Sequence, residues 1–587
     1  RKCMDNNEIK LNTFEVLPIY GWDNLRNKYA GMVIASNYSQ CKMTIDGKYL
    51  IPDDVYLIPQ RVSRIHQYAE LITHWHNYSS VTSKSINADA GIQLKSFGIS
   101  GKYSNDYLNS KSKQVMDKSV MTRVQLRYTG YVAKLQPNAK LHPQFKQVLH
   151  SVGSNIQLNR TNEARYLSEM VVRDFGTHFV NTITAGAALT QEDFVSRELV
   201  LKNEENKRSI LASASANFFG VVHASASTKS STDKKMQDSY DKSKTSSYIT
   251  AYGGSMYTFQ NYSVNKWAEK LNDNLVAMDR AGDPLFFLIT PETLPELPVS
   301  ITLQIREYVF EAIRRYYEYN VHRGCMDINS PSFSFHANVD DGSCKPPVSN
   351  LTFGGVFQTC TMTRSEAGNL CGNLNQPNPK TGKYSCPTHY QAVQLYTEHY
   401  EKSVPYRSCH HCGWWSRCCQ SGTKYSFATL KVYWCVATKP VPRNSGYLFG
   451  GLFTSHVDNP VTMDKSCPAE YSTRMVGSDL KVCISDDYEL GTPGALPFGG
   501  FFSCKSGNPL ADRNRNENLN NEEKMSPLMT LREYYRKNEE YSGPKACPKG
   551  YSQHLAIISQ ECSIYYCIIS GALNSQGLLP VRRPPFT

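Results

Sequence analysis

The chain has 587 residues, which is too long for a single hydrophobic core, so two or more domains are expected. Its formal net charge of +12 favours an anionic partner such as a membrane surface or a nucleic acid. No RNA- or DNA-binding module is recognisable, so lipid is favoured over nucleic acid. No run of about 18 apolar residues occurs, and we therefore expect no transmembrane helix within this sequence.

The cysteines and sequons indicate an oxidising compartment. All but two of the 18 cysteines lie between Cys325 and Cys567, and this even count predicts a disulfide framework. Cys3 and Cys41, the two that precede residue 320, are predicted to pair. Because the chain begins at Arg1 rather than at Met, we expect that a signal peptide has been removed and that the protein is a soluble product of the secretory pathway. N-glycosylation is predicted at Asn37, Asn77, Asn159, Asn261 and Asn350.

Two stretches in the first 130 residues alternate apolar and polar side chains, as β-strands do. In the first, one side is formed by Ile86, Ala88, Ala90, Ile92 and Leu94. In the second, which follows a Lys- and Ser-rich section, one side is formed by Val120, Thr122, Val124 and Leu126. The two stretches are either the arms of one long hairpin with a polar tip or two ordinary sheet strands joined by a loop.

A helix is predicted over residues 162–175, where apolar residues recur at helical spacing, and Gly176 is placed to end it. The chain then reads Phe-Gly-Thr-His-Phe over residues 175–179 and enters a strand of small residues. His178 has no nucleophile or metal-ligand partner at a recognisable spacing. A structural histidine is therefore favoured over a catalytic one.

The most regular alternation covers residues 211–227 and predicts a β-strand. At roughly 3.3 Å per residue one strand of this length would extend about 50 Å, whereas about 9–11 residues span a membrane when tilted. The segment is either a half-buried strand of a soluble sheet or a segment that changes shape to enter a membrane. Small side chains pack a core poorly, and Ser and Ala have little strand propensity, which favours the second interpretation. One side is formed by Ala212, Ala214, Ala216, Phe218, Gly220, Val222, Ala224 and Ala226.

The pentapeptide Phe175, Gly176, Thr177, His178 and Phe179, at a helix-to-strand turn, resembles the signature of the membrane attack complex/perforin superfamily. The resemblance covers roughly residues 10–320 and includes the pair Gly253 and Gly254. It implies an α+β domain over residues 1–322, in which helices flank a bent, twisted antiparallel sheet that the glycine pair hinges. It also implies that segments 85–127 and 205–250 become membrane-inserting β-hairpins. After Ser227 the second segment departs from this pattern, because it alternates poorly until Tyr248.

A second, cysteine-rich region follows the predicted pore-forming domain. Apolar residues at helical spacing over 300–319 predict a helix that closes the first domain. Residues 323–347, bracketed by Cys325 and Cys344, resemble the small EGF-like connector of the family. Within it Asp340, Asp341 and Gly342 predict a turn rather than a calcium loop, since the other ligand positions are missing.

An internal repeat fills residues 348–570. The phrase Phe-Gly-Gly-x-Phe begins at Phe353, Phe449 and Phe498, and each copy is followed by a Cys-Pro-x-x-Tyr phrase and a cysteine-bearing strand. Three such units predict a pseudo-threefold β-prism, which resembles the membrane-binding module of one branch of the superfamily. Residues 571–587 form a Pro- and Arg-containing tail that in the family leads toward a transmembrane anchor.

The first repeat carries an insertion that reads Ser-Cys-His-His-Cys-Gly-Trp-Trp-Ser-Arg-Cys-Cys over residues 408–419. Its Cys and His residues allow a zinc site, but an oxidising compartment favours a doubly bridged hairpin, Cys409–Cys419 with Cys412–Cys418. Trp414 and Trp415 at its tip, beside Arg417, are predicted to dock on a membrane, because Trp prefers the lipid interface. The remaining expected pairs are Cys325–Cys344, Cys360–Cys435, Cys371–Cys386, Cys467–Cys483, Cys504–Cys567 and Cys547–Cys562.

The leading functional hypothesis is a pore-forming protein that docks through its β-prism, assembles into a homo-oligomeric ring and inserts two hairpins per subunit to form a β-barrel. The alternative is a non-lytic adhesion protein that binds lipid or glycan. We expect no enzymatic activity, cofactor or metal, because no nucleophile–base pair or complete ligand set is visible. The resemblance implies an antibacterial immune role in acidified phagosomes, on anionic or bacterial membranes, with the full-length form anchored by a transmembrane helix.

Overall fold

The computed structural model divides the chain into two compact units. Unit 1 comprises Arg1–Tyr317 and Pro580–Thr587, and unit 2 comprises Glu318–Leu579. The α+β class is confirmed, with antiparallel sheets in both units and a disulfide-rich β region in unit 2. The structure describes residues 12–60, 65–81, 97–202, 207–222, 234–254, 264–269, 271, 274–345, 353–412, 417–437, 441–442, 445–511, 543–574 and 577–586.

Two long antiparallel strands, β7 (Ser119–Leu135) and β8 (His178–Ser196), organise unit 1 and pair from Ser119 opposite Ser196 to Lys134 opposite Thr182. The outer edge of β7 pairs with two shorter strands, β6 (His66–Ile72) and β5 (Val55–Pro59). The outer edge of β8 likewise pairs with β9 (Lys244–Tyr252) and β10 (Val276–Pro284). The strands are β1 (Asn12–Thr13), β2 (Tyr20–Asp23), β3 (Lys28–Met32), β4 (Tyr49–Leu50), β5 (Val55–Pro59), β6 (His66–Ile72), β7 (Ser119–Leu135), β8 (His178–Ser196), β9 (Lys244–Tyr252) and β10 (Val276–Pro284).

The register of β7 against β8 shifts at Thr129/Tyr131, next to Gly130. A Cβ on the facing Gly186 would lie 2.0 Å from the carbonyl oxygen of Tyr128, so only glycine allows the strands to approach this closely.

The helices of unit 1 include the two that the sequence predicts most directly. The predicted helix over 162–175 is confirmed as α3, which ends at Gly176 with φ 85°. The predicted helix over 300–319 is confirmed as α8, whose apolar file Ile305, Val309, Ala312, Ile313 and Tyr316 is buried. The helices are α1 (Asn105–Met116), α2 (Pro143–Gln157), α3 (Thr161–Phe175), α4 (Arg197–Lys202), α5 (Lys207–Val221), α6 (Lys234–Ser243), α7 (Val264–Glu269) and α8 (Val299–Asn320), with 3-10 turns at Trp75–Asn77 and Leu285–Leu288.

The strand predicted over residues 211–227 is wrong for the described part, which forms α5. Only every second member of the predicted apolar face is buried: Ala214, Phe218 and Val222 are buried, whereas Ala216 and Gly220 are exposed and Ala212 is half-buried. Every second residue of the even-numbered set is four positions from the next, which is the spacing of one face of a helix. Because Ala also favours helix, the same residues can form a helix that packs on one face. Ala224 and Ala226 lie outside the described residues.

Unit 2 contains three three-stranded antiparallel sheets with the same strand order, each opened by one copy of the glycine phrase, so the internal repeat is confirmed. The ring of Phe498 lies 4.7 Å from that of Phe353 and 4.5 Å from that of Phe449, so each repeat contributes one aromatic side chain to a shared core. The sheets are β13–β15–β14, β16–β18–β17 and β19–β21–β20, built from β13 (Phe353–Ser365), β14 (Tyr390–His411), β15 (Arg417–Ala437), β16 (Leu448–Phe453), β17 (Ser472–Val476), β18 (Leu480–Ser485), β19 (Phe498–Ser503), β20 (Tyr551–Ser559) and β21 (Cys562–Ile569), preceded by β11 (Arg323–Gly324) and β12 (Val339–Asp340).

An asparagine repeats in the same place in all three sheets. The side-chain Nδ2 atoms of Asn378, Asn459 and Asn508 donate to the carbonyl oxygens of Gly354, Gly450 and Gly499 at 2.9, 3.0 and 2.8 Å. The glycine that follows each acceptor has a positive φ of 87–102°: 88° at Gly355, 87° at Gly451 and 102° at Gly500. These buried amides satisfy the backbone where the phrase turns, and the sequence analysis missed them.

The disulfide bonds confirm four predicted pairs and correct four. Cys325–Cys344, Cys409–Cys419, Cys412–Cys418 and Cys467–Cys483 are confirmed. The predictions Cys360–Cys435, Cys371–Cys386, Cys504–Cys567 and Cys547–Cys562 are wrong, and the observed pairs are Cys360–Cys371, Cys386–Cys435, Cys504–Cys562 and Cys547–Cys567.

The strand register explains the corrections. It places Cys360 opposite Leu430, five positions along β15 from Cys435. It also places the backbone N–H of Cys504 against Ser563 O, next to Cys562. Cys41 is disulfide-bonded, and Cys3, its predicted partner, lies outside the described residues.

The C-terminal tail belongs in part to unit 1. The backbone N–H of Phe586 donates to the buried Glu169 carboxylate at 2.6 Å, and Arg583 donates to the carbonyl oxygen of Arg173 at 3.1 Å. Arg315 also donates to the Glu169 carboxylate, at 2.7 Å. Residues 580–586 are therefore fixed to α3, although the predicted tail over 571–587 begins in unit 2.

Candidate functional site: the segments on the central sheet and the long hairpin

Helices α5 and α6 cover one face of the N-terminal half of β7. The predicted face of that strand is confirmed as one face, since Val120, Val124 and Leu126 enter a single buried cluster and Thr122 contacts α6. In this structure that face is core and does not meet solvent. From the helical segment the cluster takes Ile210, Ala214, Phe218, Val222, Met236 and Tyr240.

A polar clasp joins α6 to the sheet beneath it. We define the clasp as Asp193, Tyr240, Thr122 and Ser247. The Tyr240 hydroxyl donates to the Asp193 carboxylate at 2.7 Å and lies 2.6 Å from the Thr122 hydroxyl. Ser247 on β9 donates to the other Asp193 oxygen, and Gln191 donates to both oxygens at 2.9 Å. Burial, followed by the Asp193 charge, raises the pKa of the Tyr240 phenol, so it remains a donor.

The opposite face of β7 carries a buried cation. Arg123, 1% exposed, is paired with Glu70 at 2.9 Å and with Glu192 at 2.8 Å. It also donates to the carbonyl oxygen of Ser79 at 2.6 Å. Desolvation raises the pKa of Glu192 above its ordinary value, although Arg123 opposes that shift. Both faces of the predicted second arm are therefore covered, by the helical segment on one side and by this ion-pair group on the other.

The Phe-Gly-Thr-His-Phe turn fixes α3 to β8. A Cβ on Gly176 would lie 2.5 Å from Trp22 O, so no larger residue fits. The Thr177 hydroxyl donates to that same oxygen at 3.2 Å and lies 2.9 Å from His178 Nδ1. Burial lowers the pKa of His178 to about 3, so the ring is neutral near pH 7. Among the described residues His178 belongs to no cluster of metal-ligating side chains, and its contact with the adjacent Thr177 hydroxyl, which in turn donates to Trp22 O, is that of a structural residue.

The hairpin of β14 and β15 extends far beyond the core of unit 2. From Glu401 to His411 every residue of β14 is exposed, which corresponds to about 34 Å of strand at roughly 3.4 Å per residue. No acidic residue occurs between Lys402 and Lys424. Arg417 pairs directly with His411 at the tip, where the two confirmed disulfides also lie. Trp414 and Trp415 lie outside the described residues.

A family model described as the MAC/Perforin domain matches residues 12–326. The chain belongs to the MAC/perforin family. Membership suggests a pore-forming or perforin-like function, and the family generally binds membranes and oligomerises. The match ends within the connector, so the β-prism lies outside the MAC/perforin domain proper.

Three solved structures show similarity to this MAC/perforin protein at low identity. GNIP1Aa from Chromobacterium piscinae is 13% identical over 59% of this chain and 60% of its own, with a TM-score of 0.35. Astrotactin-2, described as a perforin-like membrane protein involved in neuronal development, is 12% identical over 51% of this chain and 100% of its own, with a TM-score of 0.28. A putative cell invasion protein from Bacteroides thetaiotaomicron with a MAC/Perforin domain is 11% identical over 51% and 62%, with a TM-score of 0.29. The chain thus spans 60% of the length of GNIP1Aa.

Several predicted site residues of the MAC/perforin domain remain predictions. Ile86, Ala88, Ala90, Ile92 and Leu94 lie outside the described residues. Residues 105–116 form α1 between the two predicted arms, so any single hairpin over 85–127 requires this helix to unfold.

The glycine pair that follows β9 has the left-handed backbone that favours glycine. Gly253 and Gly254 have φ of 70° and 71°, and a Cβ on Gly254 would lie 2.6 Å from Trp267 Nε1. The indole N–H of Trp267 donates to Gly253 O at 3.1 Å. The pair therefore forms a tight turn after β9, and its role as a hinge stays a prediction.

Asp193 and Tyr240 are the site residues of the MAC/perforin domain that the sequence analysis missed. Asp193 follows two other polar residues, Gln191 and Glu192, on its strand, and Tyr240 lies in the Lys- and Ser-rich section that alternates poorly. A signal was available in the spacing of Met236 and Tyr240, which are four residues apart and are the apolar residues of an otherwise charged stretch.

The described residues include no helix long and apolar enough to cross a membrane. Over the same ranges no cluster of metal-ligating side chains is present. The four cysteines near the hairpin tip form two disulfide bonds. The disulfide content fits a secreted or lumenal domain. Asn37, Asn77 and Asn159 are exposed, while Asn261 and Asn350 lie outside the described residues, and glycosylation stays a prediction.

Proposed function

We propose that this protein is a pore-forming immune effector of the perforin-2 type, the macrophage-expressed member of the family. It docks on a membrane, assembles into a homo-oligomeric ring and inserts two segments per subunit as β-hairpins. Resemblance to perforin-2 rests on the segments GWDNL, NSPSFSF, DDGSC, LFGGLF and PFGGFFSC and on the order of domain, connector and prism. The protein acts on lipid and carries out no enzymatic reaction.

The observation that carries this proposal is that the residue pattern of α5 satisfies two structures, a strand and a helix. Residues 211–222 alternate like a strand, yet Lys207–Val221 form a helix that buries Ala214 and Phe218 and leaves Ala216 exposed. Sequence and fold usually agree across levels, and disagreement concentrates at functional sites. A segment that is a helix in one state and an amphipathic strand in another explains both facts.

The long hairpin supports docking as a separate step. Its exposed strands carry Lys402, Arg407, Arg417 and Lys424 without an intervening acid, which suits an anionic membrane surface. In the sequence Trp414 and Trp415 lie between the disulfide-bonded Cys412 and Cys418, and tryptophan suits the lipid interface. Killing of engulfed bacteria in an acidified phagosome or endosome, from a membrane-anchored precursor, is the setting that the perforin-2 resemblance implies.

Dye release from phosphatidylserine-containing liposomes, at neutral and endosomal pH, tests the proposal when the same samples are viewed by electron microscopy. We expect rings together with leakage. The variant Trp414→Ser/Trp415→Ser should lose liposome binding and leakage while keeping its thermal stability. Binding without rings or leakage under any of these conditions would contradict pore formation and favour the non-lytic lipid- or glycan-binding alternative.

A further inference from the structure

Unit 1 contains a cavity that the pore-forming segments do not use. Its volume is 1030 Å³, which is at the upper end of the range of about 300–1,000 Å³ usual for small-molecule sites. It lies where the C-terminal end of β7, the loop that leads to α2, the start of β8 and the turn after Leu285–Leu288 meet. No residue of α5, α6 or the clasp lines it.

The inner wall of the cavity is apolar. Ile34, Leu141 and Phe179 line it and are buried within the protein, at 0%, 7% and 8% exposure. Leu288 and Phe287 also line the cavity, and Phe287 is 42% exposed. Such a surface suits a hydrocarbon chain, because removing apolar area from water is favourable at about 25 cal/mol per Å².

The rim of the cavity is cationic. Lys134, Lys140 and Lys146 line it together with one acidic residue, Glu292. Lys146 is already ion-paired with Glu296. In the part of the chain that the structure describes, the ammonium groups of Lys134 and Lys140 have no acidic partner. These two cations are available to an anionic group placed at the rim.

The N-terminus of α2 adds to the positive potential at this wall. Pro143 and Lys146 of its first turn line the cavity, His142 provides no side-chain cap, and the first turn has no acidic residue. The aligned peptide dipoles of a helix favour an anion at this end.

Hydrogen bonds fix both sides of the cavity. The backbone N–H groups of Gln136 and His142 donate to Asp54 O and Val33 O at 2.8 Å each, which fixes the loop after β7. On the other side the Thr293 hydroxyl donates to Leu288 O at 2.6 Å, and the N–H of Thr290 donates to Thr293 Oγ1 at 3.1 Å. A cavity held in this way is formed before any ligand arrives.

We propose that this cavity binds a single-chain lipid with an anionic headgroup, such as a fatty acid or a lysophosphatidic acid. The chain lies along Ile34, Leu141 and Phe179, and the carboxylate or phosphate meets Lys134 and Lys140. The site is independent of pore formation and of the docking hairpin.

Titration of the protein with cis-parinaric acid, a fatty acid whose fluorescence rises on burial, tests the proposal. We expect saturable binding that palmitate displaces, whereas hexadecanol and inorganic phosphate at the same concentration do not. Lys134→Gln/Lys140→Gln should weaken binding by about tenfold or more, because charge-assisted contacts are lost. Phe287→Ser should weaken binding through the apolar side of the site.

The matched control is Lys28→Gln/Lys465→Gln, which removes the same charge from exposed lysines elsewhere and should leave binding unchanged. Trp414→Ser/Trp415→Ser should also bind as the parent does, whatever the outcome for membrane docking. Thermal unfolding confirms that each variant is folded. Absence of saturable binding, equal displacement by hexadecanol, displacement by inorganic phosphate, or the same loss in either control would overturn the assignment.

Discussion

Substitution of Tyr240 by Phe tests whether the clasp holds the helical segment on the sheet. The change keeps the ring in its buried cluster and removes only the hydroxyl that contacts Asp193 at 2.7 Å and Thr122 at 2.6 Å. A hydrogen bond to a charged group contributes about 1.5–3 kcal/mol. Asp193 keeps Gln191 and Ser247 as donors, so we expect a net loss of about 2 kcal/mol in the free energy of local opening of α5 and α6.

Such a loss corresponds to roughly 30-fold faster amide hydrogen exchange in peptides that cover 207–243. Exchange measured by mass spectrometry provides the readout, and α2 and α3 should be unaffected. Tyr248→Phe is the matched control, because Tyr248 is 45% exposed on the adjacent β9. If the segment inserts as proposed, Tyr240→Phe should also accelerate dye release. Unchanged exchange in α6, or an equal change in the Tyr248 variant, would refute the role of the clasp.

Three further predictions concern the inserting face, the buried histidine and the prism. Ala216→Lys should abolish leakage without changing stability or liposome binding, because Ala216 is exposed on α5 but faces lipid in the proposed hairpin. A Lys on the lipid-facing side of a barrel strand costs about 2–4 kcal/mol. Ser215→Lys should be tolerated, and equal effects of the two substitutions would contradict the face assignment. The pKa of His178 is about 3 in the folded protein and about 6.5 in the unfolded chain. The neutral ring therefore makes its full contribution to the free energy of unfolding above pH 6.5, and this contribution falls by about 1.4 kcal/mol per pH unit as the pH is lowered toward 3. Urea unfolding at several pH values should therefore show a shallower acid dependence for His178→Gln, and an identical slope would exclude this linkage. Asn459→Ala should destabilise unit 2 by about 1–3 kcal/mol in thermal unfolding, whereas exposed Asn373→Ala should not, because only the first leaves the Gly450 carbonyl unpaired.

The sequence correctly predicted the elements whose spacing of apolar residues is compatible with only one type of secondary structure. The helix before Gly176 and the helix over 300–319 have an apolar spacing that no strand would satisfy, and both are present. The segment 210–222 was different, because its apolar residues fit both the period of two of a strand and the i, i+4 spacing of a helix. These residues are Ile210, Ala214, Phe218 and Val222. Packing against β7 selects the helix, and that packing is invisible in local sequence.

The disulfide errors had a different origin. The second repeat contains only Cys467 and Cys483, which had to pair. Transfer of that pairing to the equivalent cysteines gives Cys386–Cys435 and Cys547–Cys567, as observed. The information was therefore present in the repeat, whereas the clasp at Asp193 required the three-dimensional register of β8 against α6.

The hairpins of the three sheets differ in length, so the residues that stabilise unit 2 are not those proposed to contact a membrane. In the second and third sheets the corresponding strands end after 5–9 residues: β17 has 5 and β20 has 9. In the first sheet β14 has 22 residues, and those after Glu401 contribute nothing to the buried core. Substitutions near the tip therefore escape the packing constraints that act on Phe353, Phe449 and Phe498. If the tip docks on lipid as proposed, natural selection can change its affinity and lipid preference in small steps without changing the three-sheet core of unit 2.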